Sequence, residues 1–422
     1  MKFSICNLGC KVNAYEAESI AAILENKGWE RVDFEESADA ALIFTCAVTN
    51  TAAAKSRKML HRVRRKNPAC ITAVVGCYAQ IQDGGLEDAD IILGSKEKKK
   101  LPECLFRFMK THEKIVEVDD LAGAPFEPLL VDAFENHARA YLKIQDGCNQ
   151  FCSYCVIPFA RGRERSMEPD MVIQEVGKIA EKYNEVVLTG IHTGRYGREY
   201  GVSLSALIER ILKETSIGRI RISSIEVTEV NDELIDLMEK EPDRIARHLH
   251  IPLQSGNDEV LKAMHRPYST QEYYDRIEYI RNRLKDVSVS CDLITGFPLE
   301  TEQQHKEAME FVKKCSFAFM HVFPYSEREG TVAAKMEQIP VPVRKARAKQ
   351  MIALSNQMRI AYDTKQIGKD AVIVAETYSD GYTNGYTSDY ISVKVEGEIP
   401  HGTMCRVNLS KIEDGQIYAR KV

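Results

Sequence analysis

Three cysteines, Cys148, Cys152 and Cys155, fall within the eight residues CNQFCSYC, just after the strand-like run ARAYLKI. Three thiols this close cannot complete a tetrahedral zinc site by themselves. They can hold three irons of a cubane cluster and leave the fourth iron open. The surrounding sequence predicts the scaffold for such a loop. Strand-like runs recur at ARAYLKI, EVVLTGI, RIRISSI, RHLHIPL, VSVSCDLI and FAFMHVFPY, with helical patterns such as MVIQEVGKIAEKY and TEQQHKEAMEFVKKC between them. Six repeats predict a partial (β/α)6 TIM-like barrel, because eight would close a full one. The carboxyl end of a barrel strand is where an open iron would do chemistry. A zinc site with a distant fourth ligand is the alternative for this loop.

Upstream, KFSICNL (2–8), AALIFTC (40–46), ITAVVGC (71–77) and DIILG (90–94) read as buried parallel strands. Helical patterns over 13–27 and 51–67 separate them, the second stopped by Pro68. This βαβ rhythm predicts a doubly wound parallel-sheet domain. Cys10, Cys46 and Cys77 each end or closely follow a predicted strand. The carboxyl ends of such strands face one crevice, so these three thiols are expected to converge. Buried cysteine is also a common core residue, which leaves a packing role open for them. Of the others, Cys6 and Cys291 lie inside strands, Cys104 and Cys315 in helical patterns, and Cys70 and Cys405 flank strands. These read as structural.

The chain of 422 residues carries 57 Lys or Arg against 62 Asp or Glu, too acidic to grip nucleic acid by total charge alone. No apolar run reaches the roughly 18 residues of a spanning helix, and MKFSICNLGCKVN has no secretory apolar core. A cytoplasmic location without membrane association is expected, and there twelve cysteines point to metal or core positions rather than disulfides. The predicted division is an N-terminal domain (1–118), a linker (119–138), a barrel with a long basic helix over 343–367 (139–366), and a small antiparallel β-barrel (367–422). Asn384-Gly385 in that last part is a hairpin signal.

Taken together, CNQFCSYC, LGCKVNAYEAE, TCAVTN and GCYAQ resemble the motifs of the methylthiotransferases, radical S-adenosylmethionine enzymes that add a methylthio group. The likeness covers nearly the whole chain and implies a C-terminal TRAM module associated with RNA binding. It implies two [4Fe–4S] clusters, one on Cys10, Cys46 and Cys77 and one on Cys148, Cys152 and Cys155, the latter binding S-adenosylmethionine. It also implies that the N-terminal cluster carries the inserted sulfur. GCKVNAYEAE is similar to the branch converting N6-threonylcarbamoyladenosine at tRNA position 37 to its 2-methylthio form. The isopentenyladenosine branch usually has Gln-Met after Gly-Cys, and the branch acting on a ribosomal-protein Asp has Pro-Lys or a similar pair. The implied partners are the tRNA anticodon stem-loop and an electron donor such as flavodoxin or ferredoxin. A non-catalytic iron–sulfur RNA-binding sensor is the competing reading.

Polar or small residues at strand ends mark the candidate cofactor rim: Gly190, Ser224, Glu226, Gln254 and Asp292, with Tyr154 of the cysteine loop against an adenine. A turn role for Gly190 and a packing role for Tyr154 are equally compatible with the sequence. No catalytic acid–base set stands out, and His61 and His305 read as solvated. The segment KSRKMLHRVRRK places Lys55, Lys58, Arg62 and Arg65 on one helix face, with Arg64 beside them and no acid from Thr51 to Gln82. That concentration suits a phosphate backbone, although a solvated face would look the same. Arg161, Arg163, Arg165, Arg344, Lys345, Arg347 and Lys349 extend the expected track. From Gln366 onward, six Lys or Arg face eight Asp or Glu, so RNA contact there would rely on Tyr382, Tyr386 and Tyr390 stacking on bases.

Overall fold

The computed structural model of the chain describes residues 1–34, 36–81, 84–129 and 137–422. Strands β1 (Lys2–Asn7), β2 (Glu30–Val32), β3 (Ala40–Thr45), β4 (Ile71–Gly76), β5 (Ile91–Leu93) and β6 (Ile115–Glu117) form one parallel sheet. Their order is β2-β1-β3-β4-β5-β6. The fully buried run Ala40–Thr45 makes the central strand, as an unbroken apolar segment must when helices cover both faces. Edge strands β2 and β6 are absent from the sequence reading, because three residues carry no measurable period. Helices α1 (Lys11–Glu25) and α2 (Asn50–Lys66) start one or two residues before their predicted limits. Thr49 caps α2, its hydroxyl accepting from the Ala52 N–H at 3.1 Å.

The barrel has six parallel strands, Ala140–Lys143, Glu185–Thr189, Arg219–Ile222, His248–His250, Ser288–Thr295 and Phe319–Pro324. They form two three-stranded sheets joined by bridges at Ile220–Ile245 and Ser224–His250, an open six-strand wall as the repeats predict. The long helix Val341–Thr364 closes this part. Between sheet and barrel, residues 118–129 take neither helix nor strand, and positions 130–136 of the predicted linker lie outside the described residues.

The C-terminal strands Asp370–Ser379, Tyr382–Thr387, Ser392–Glu396, Gln416–Lys421 and Met404–Glu413 close a barrel in that spatial order. One neighbouring pair, Ser392–Glu396 with Gln416–Lys421, is parallel rather than antiparallel. The hairpin turn falls at Asp380-Gly381, both at positive φ, and not at the predicted Asn384-Gly385. Asn384 and Gly385 lie within a strand, where a Cβ on Gly385 would come 2.6 Å from the Val374 carbonyl oxygen. That glycine answers a close approach between strands rather than a turn.

This small barrel docks on the amino-terminal end of the large one. Arg219 donates to the Val372 carbonyl at 3.0 Å, Arg221 to the Thr387 and Ser388 carbonyls at 3.0 Å, and Arg139 pairs with Glu376 at 2.6 Å. Behind them sits one fully buried carboxylate, Glu185, 2.8 Å from Arg221 and bonded to Arg219. Burial alone would push this acid up, but Arg221, Arg219 and Arg139 hold it down to about 2. A carboxyl depressed from its ordinary 4.5 contributes stability above that pH and loses it as pH falls towards 2. Glu185→Gln should therefore lower stability at neutral pH by about 3–5 kcal/mol, since three guanidinium groups lose their anion. The deficit should shrink below pH 4. Thermal unfolding at pH 7 and pH 3 measures both.

A candidate two-cluster site between the sheet and the barrel

Adjacent strands β1, β3 and β4 end side by side, and each is followed by a cysteine. Cys10 immediately precedes α1, Cys46 follows β3, and Cys77 begins the short helix α3 (Cys77–Ile81). Exposure falls across the set, from exposed Cys10 through half-buried Cys46 to buried Cys77. The three are near enough to perturb one another: burial, then Cys77 and Cys10, push the Cys46 thiol up to about 11, while the Val48 N–H opposes them. All twelve cysteines are free thiols. The predicted convergence is thus present in the fold.

The second set opens at the end of the first barrel strand. Gly147, at φ +73°, turns the chain so tightly that a Cβ there would lie 2.0 Å from the Arg163 carbonyl oxygen. Every thiol of the loop faces a hydrogen-bond donor. Cys148 Sγ lies 3.4 Å from the Gln150 N–H and 3.5 Å from His192 Nδ1. Cys152 Sγ accepts from Arg266 Nη1 at 3.2 Å, and Cys155 Sγ from the Ile157 N–H at 3.4 Å. Burial pushes the Cys152 thiol up and the Cys155 thiol up to about 12. Three converging sulfurs, each with a donor that favours the thiolate, suit a cubane cluster held at three corners.

A cleft of about 190 Å³ is lined by Val48 and Thr49, shortly after Cys46 in the sheet domain, and by Tyr154, Cys155, Gln254, Asp292 and Tyr325 from the barrel. Of the predicted rim residues, Tyr154, Gln254 and Asp292 therefore meet there. Gln254 holds positive φ (+68°), and Tyr154 packs edge-on to Phe297 at 6.5 Å. Asp292 lies 3.2 Å from His250 Nε2, with His321 beside it. Glu226 is taken by Arg266 in an ion pair that leads directly to Cys152. Ser224 bridges to His250 on the neighbouring strand. At Gly190 a Cβ would lie 3.0 Å from Gln145, whose side chain accepts from the Ile191 and His192 N–H groups.

Between the two thiol sets lies a buried charged group that sequence reading does not reveal. Glu16, Lys98, Lys143, Asp146, Arg161 and Arg165 are all at most 8% exposed. Arg161 Nη1 is 3.0 Å from Glu16 and 3.2 Å from Asp146, Lys98 reaches Glu16 at 2.8 Å, and Lys143 reaches it at 3.0 Å. Burial would raise the Glu16 acid, yet Arg161, Lys98 and Lys143 hold it well below the usual carboxylate range. Four cations face two carboxylates here, with Glu127 at the margin, and Arg161 Nε spends its remaining donor on Cys77 Sγ at 3.1 Å. Excess buried positive charge next to thiols is compensated if those thiols are ionised, as metal ligation requires.

The expected RNA track changes accordingly. Arg161, Arg165, Arg344 and Arg347 are buried, not on a surface: Arg344 donates to the Ile339 carbonyl at 2.6 Å and Arg347 to the Glu300 carbonyl at 2.8 Å. Arg64 pairs with Asp90 and donates to the Asp88 carbonyl at 2.9 Å. Lys55, Lys58, Arg62 and Arg65 remain exposed on α2, as do Arg163, Lys345 and Lys349. Tyr390 is stacked on His248 and on Tyr386, both at 5.0 Å, inside the docking interface, so neither tyrosine stands open to a base. Tyr382 packs edge-on to Tyr418 at 5.4 Å. His305 is buried and bonded to Gln350 at 2.8 Å rather than solvated, whereas His61 is exposed beside Asp88.

No helix among the described residues is long and apolar enough to cross a membrane. The Radical SAM superfamily matches residues 142–312, and the Uncharacterized protein family UPF0004 matches residues 2–94. The threonylcarbamoyladenosine tRNA methylthiotransferase MtaB of Bacillus subtilis (strain 168) is 41% identical over 380 residues, covering 87% of this chain and 83% of that protein. The tRNA-2-methylthio-N(6)-dimethylallyladenosine synthase of Carboxydothermus hydrogenoformans is 34% identical over 387 residues, covering 89% of this chain and 88% of that protein. In shape, the cobalamin-dependent S-adenosylmethionine radical enzyme OxsB shares the fold with a TM-score of 0.51 at 10% identity, over 84% of this chain and 56% of that one. Parallel barrel, thiol loop and relatives agree, and the chain belongs to the radical S-adenosylmethionine tRNA methylthiotransferases, enzymes that use S-adenosylmethionine and [4Fe–4S] clusters.

Proposed function

We propose that this enzyme adds a methylthio group to C2 of N6-threonylcarbamoyladenosine at position 37 of tRNA. The observation that carries the proposal is the approach of two three-thiol sets across one junction, where Arg161, on the helix that leaves the Cys148–Cys155 loop, donates to Cys77 Sγ. Cys148, Cys152 and Cys155 would hold the cluster that binds S-adenosylmethionine, and Cys10, Cys46 and Cys77 the cluster that carries sulfur. Once bound, these groups supply a radical strong enough to take hydrogen from an aromatic carbon, and the sulfur that replaces it. The chain's own part is placement and shielding from water. Arg266 and His192 orient Cys152 and Cys148, Tyr154 and Gln254 line the cofactor's side of the cleft, and Val48 and Thr49 bring the sulfur-bearing side against it.

The choice of base rests on GCKVN after β1 and on relatives named for threonylcarbamoyladenosine. Relatives named for dimethylallyladenosine, at up to 34% identity, support a second reading with that base as substrate. The anticodon stem-loop would approach over exposed α2, and an external donor such as flavodoxin or ferredoxin would supply the electron. Residues 1–118, 139–366 and 367–422 would then serve as sulfur-bearing domain, radical core and TRAM module. Mass analysis of tRNA nucleosides from a strain lacking the gene decides the substrate. Loss of the 2-methylthio form of threonylcarbamoyladenosine is expected. If it persists while methylthio-isopentenyladenosine disappears, the second reading replaces the first.

A further inference from the structure

We infer that Arg161 sets the reduction potential of the N-terminal cluster, acting as a buried cation hydrogen-bonded to one of its ligands. The inference rests on the reading of Cys10, Cys46 and Cys77 as cluster ligands. Arg161 lies in the barrel part of the chain, on the helix Ile157–Arg161 that leaves the other cysteine loop, yet it points across the junction. Its Nε donates to Cys77 Sγ at 3.1 Å and its Nη2 to Asn13 Oδ1 at 2.6 Å. Asn13 in turn donates to the Thr45 carbonyl at 2.7 Å. Through these contacts one side chain touches the segment of every N-terminal thiol: Asn13 is in the first turn after Cys10, and Thr45 directly precedes Cys46. It is 0% exposed, so water does not screen its charge.

Hydrogen bonds to cluster sulfurs and nearby positive charge both raise the potential, because they stabilise the reduced, more negative state. Electron balance gives that effect a purpose. If the cluster held by Cys10, Cys46 and Cys77 supplies the sulfur, the carbon radical would give one electron to the new C–S bond and the sulfur's bond to the cluster the other, which would leave one electron for the cluster to take up. A cation at Cys77 favours that acceptance. Glu16 and Asp146 partly cancel the cation and keep Arg161 aimed at the sulfur.

The test uses the full chain with Cys148, Cys152 and Cys155 replaced by Ala, so that only the N-terminal cluster remains, and an electron-paramagnetic-resonance redox titration. Arg161→Gln should lower the midpoint by at least 59 mV, a tenfold change in the reduced-to-oxidised ratio for one electron. Arg161→Lys should fall between the two. Glu16→Gln should move the midpoint the other way, since it removes an anion and leaves the cation. Unchanged midpoints in iron-loaded Arg161→Gln protein would overturn the inference. If the substituted proteins fail to fold or load, 15N-arginine labelling of the Arg161 protein decides: 15N hyperfine coupling to the reduced cluster is expected, and its absence is fatal. None of these readouts involves tRNA, so loss of the proposed base specificity would leave the result standing, and the reverse holds too.

Discussion

Cys152→Ala should abolish reductive cleavage of S-adenosylmethionine, whereas Cys46→Ala should leave that cleavage measurable and stop methylthio insertion. The two sets approach each other across one junction but belong to different folding units. Cys152 sits in the barrel loop with Arg266 and Glu226 at its back, and two thiolates cannot define a cluster with a single open iron. Cys46 follows the central strand of the sheet and contributes nothing to that loop. Production of 5′-deoxyadenosine under reductant reads the first activity, and methylthiolated nucleoside reads the second. Substitution at Cys46 also removes a half-buried group next to the charged junction, so circular dichroism and iron content serve as controls. Folded Cys46→Ala protein that still methylthiolates tRNA would make the N-terminal thiols structural and defeat the two-cluster reading.

Replacing Lys55, Lys58, Arg62 and Arg65 together by Ala should flatten the salt dependence of tRNA binding by about three to four units of log–log slope, roughly one per lost phosphate contact. All four are exposed on α2, whose amino end is fastened to the barrel by Asn50 donating to the Glu327 carbonyl at 2.9 Å. The helix thus lies on a rigid edge beside the cleft. Cleavage of S-adenosylmethionine without tRNA should persist. Arg64→Ala should behave differently: its guanidinium pairs with Asp90 within the domain, so the slope should hold while stability falls by about 1 kcal/mol. Filter binding across a salt series distinguishes the two. An unchanged slope in the quadruple variant would return the helix to an ordinary solvated face.

The sequence alone determined the elements whose signal is local. Apolar runs such as AALIFTC and ITAVVGC could only be buried strands, and the order of strands and helices implied a parallel sheet and an open barrel. That order also selected Cys10, Cys46 and Cys77, because strand ends in a parallel sheet converge wherever the strands lie in the chain, while close spacing alone selected Cys148, Cys152 and Cys155. Tertiary structure decided which charges are buried and whom they meet. Arg161 and Arg65 look alike in a sequence, yet one is sealed against a partner 84 positions away and the other is exposed. Asn384-Gly385 and Asp380-Gly381 carry similar turn chemistry, and the pairing of neighbouring strands chose between them. Tyr390 is a strand-former in sequence and an anchor between two barrels in space. The physical reason is common to all three. Periodicity records which face of an element is apolar, whereas the partner of a buried charge or ring is set only when separately formed elements dock and water is expelled between them.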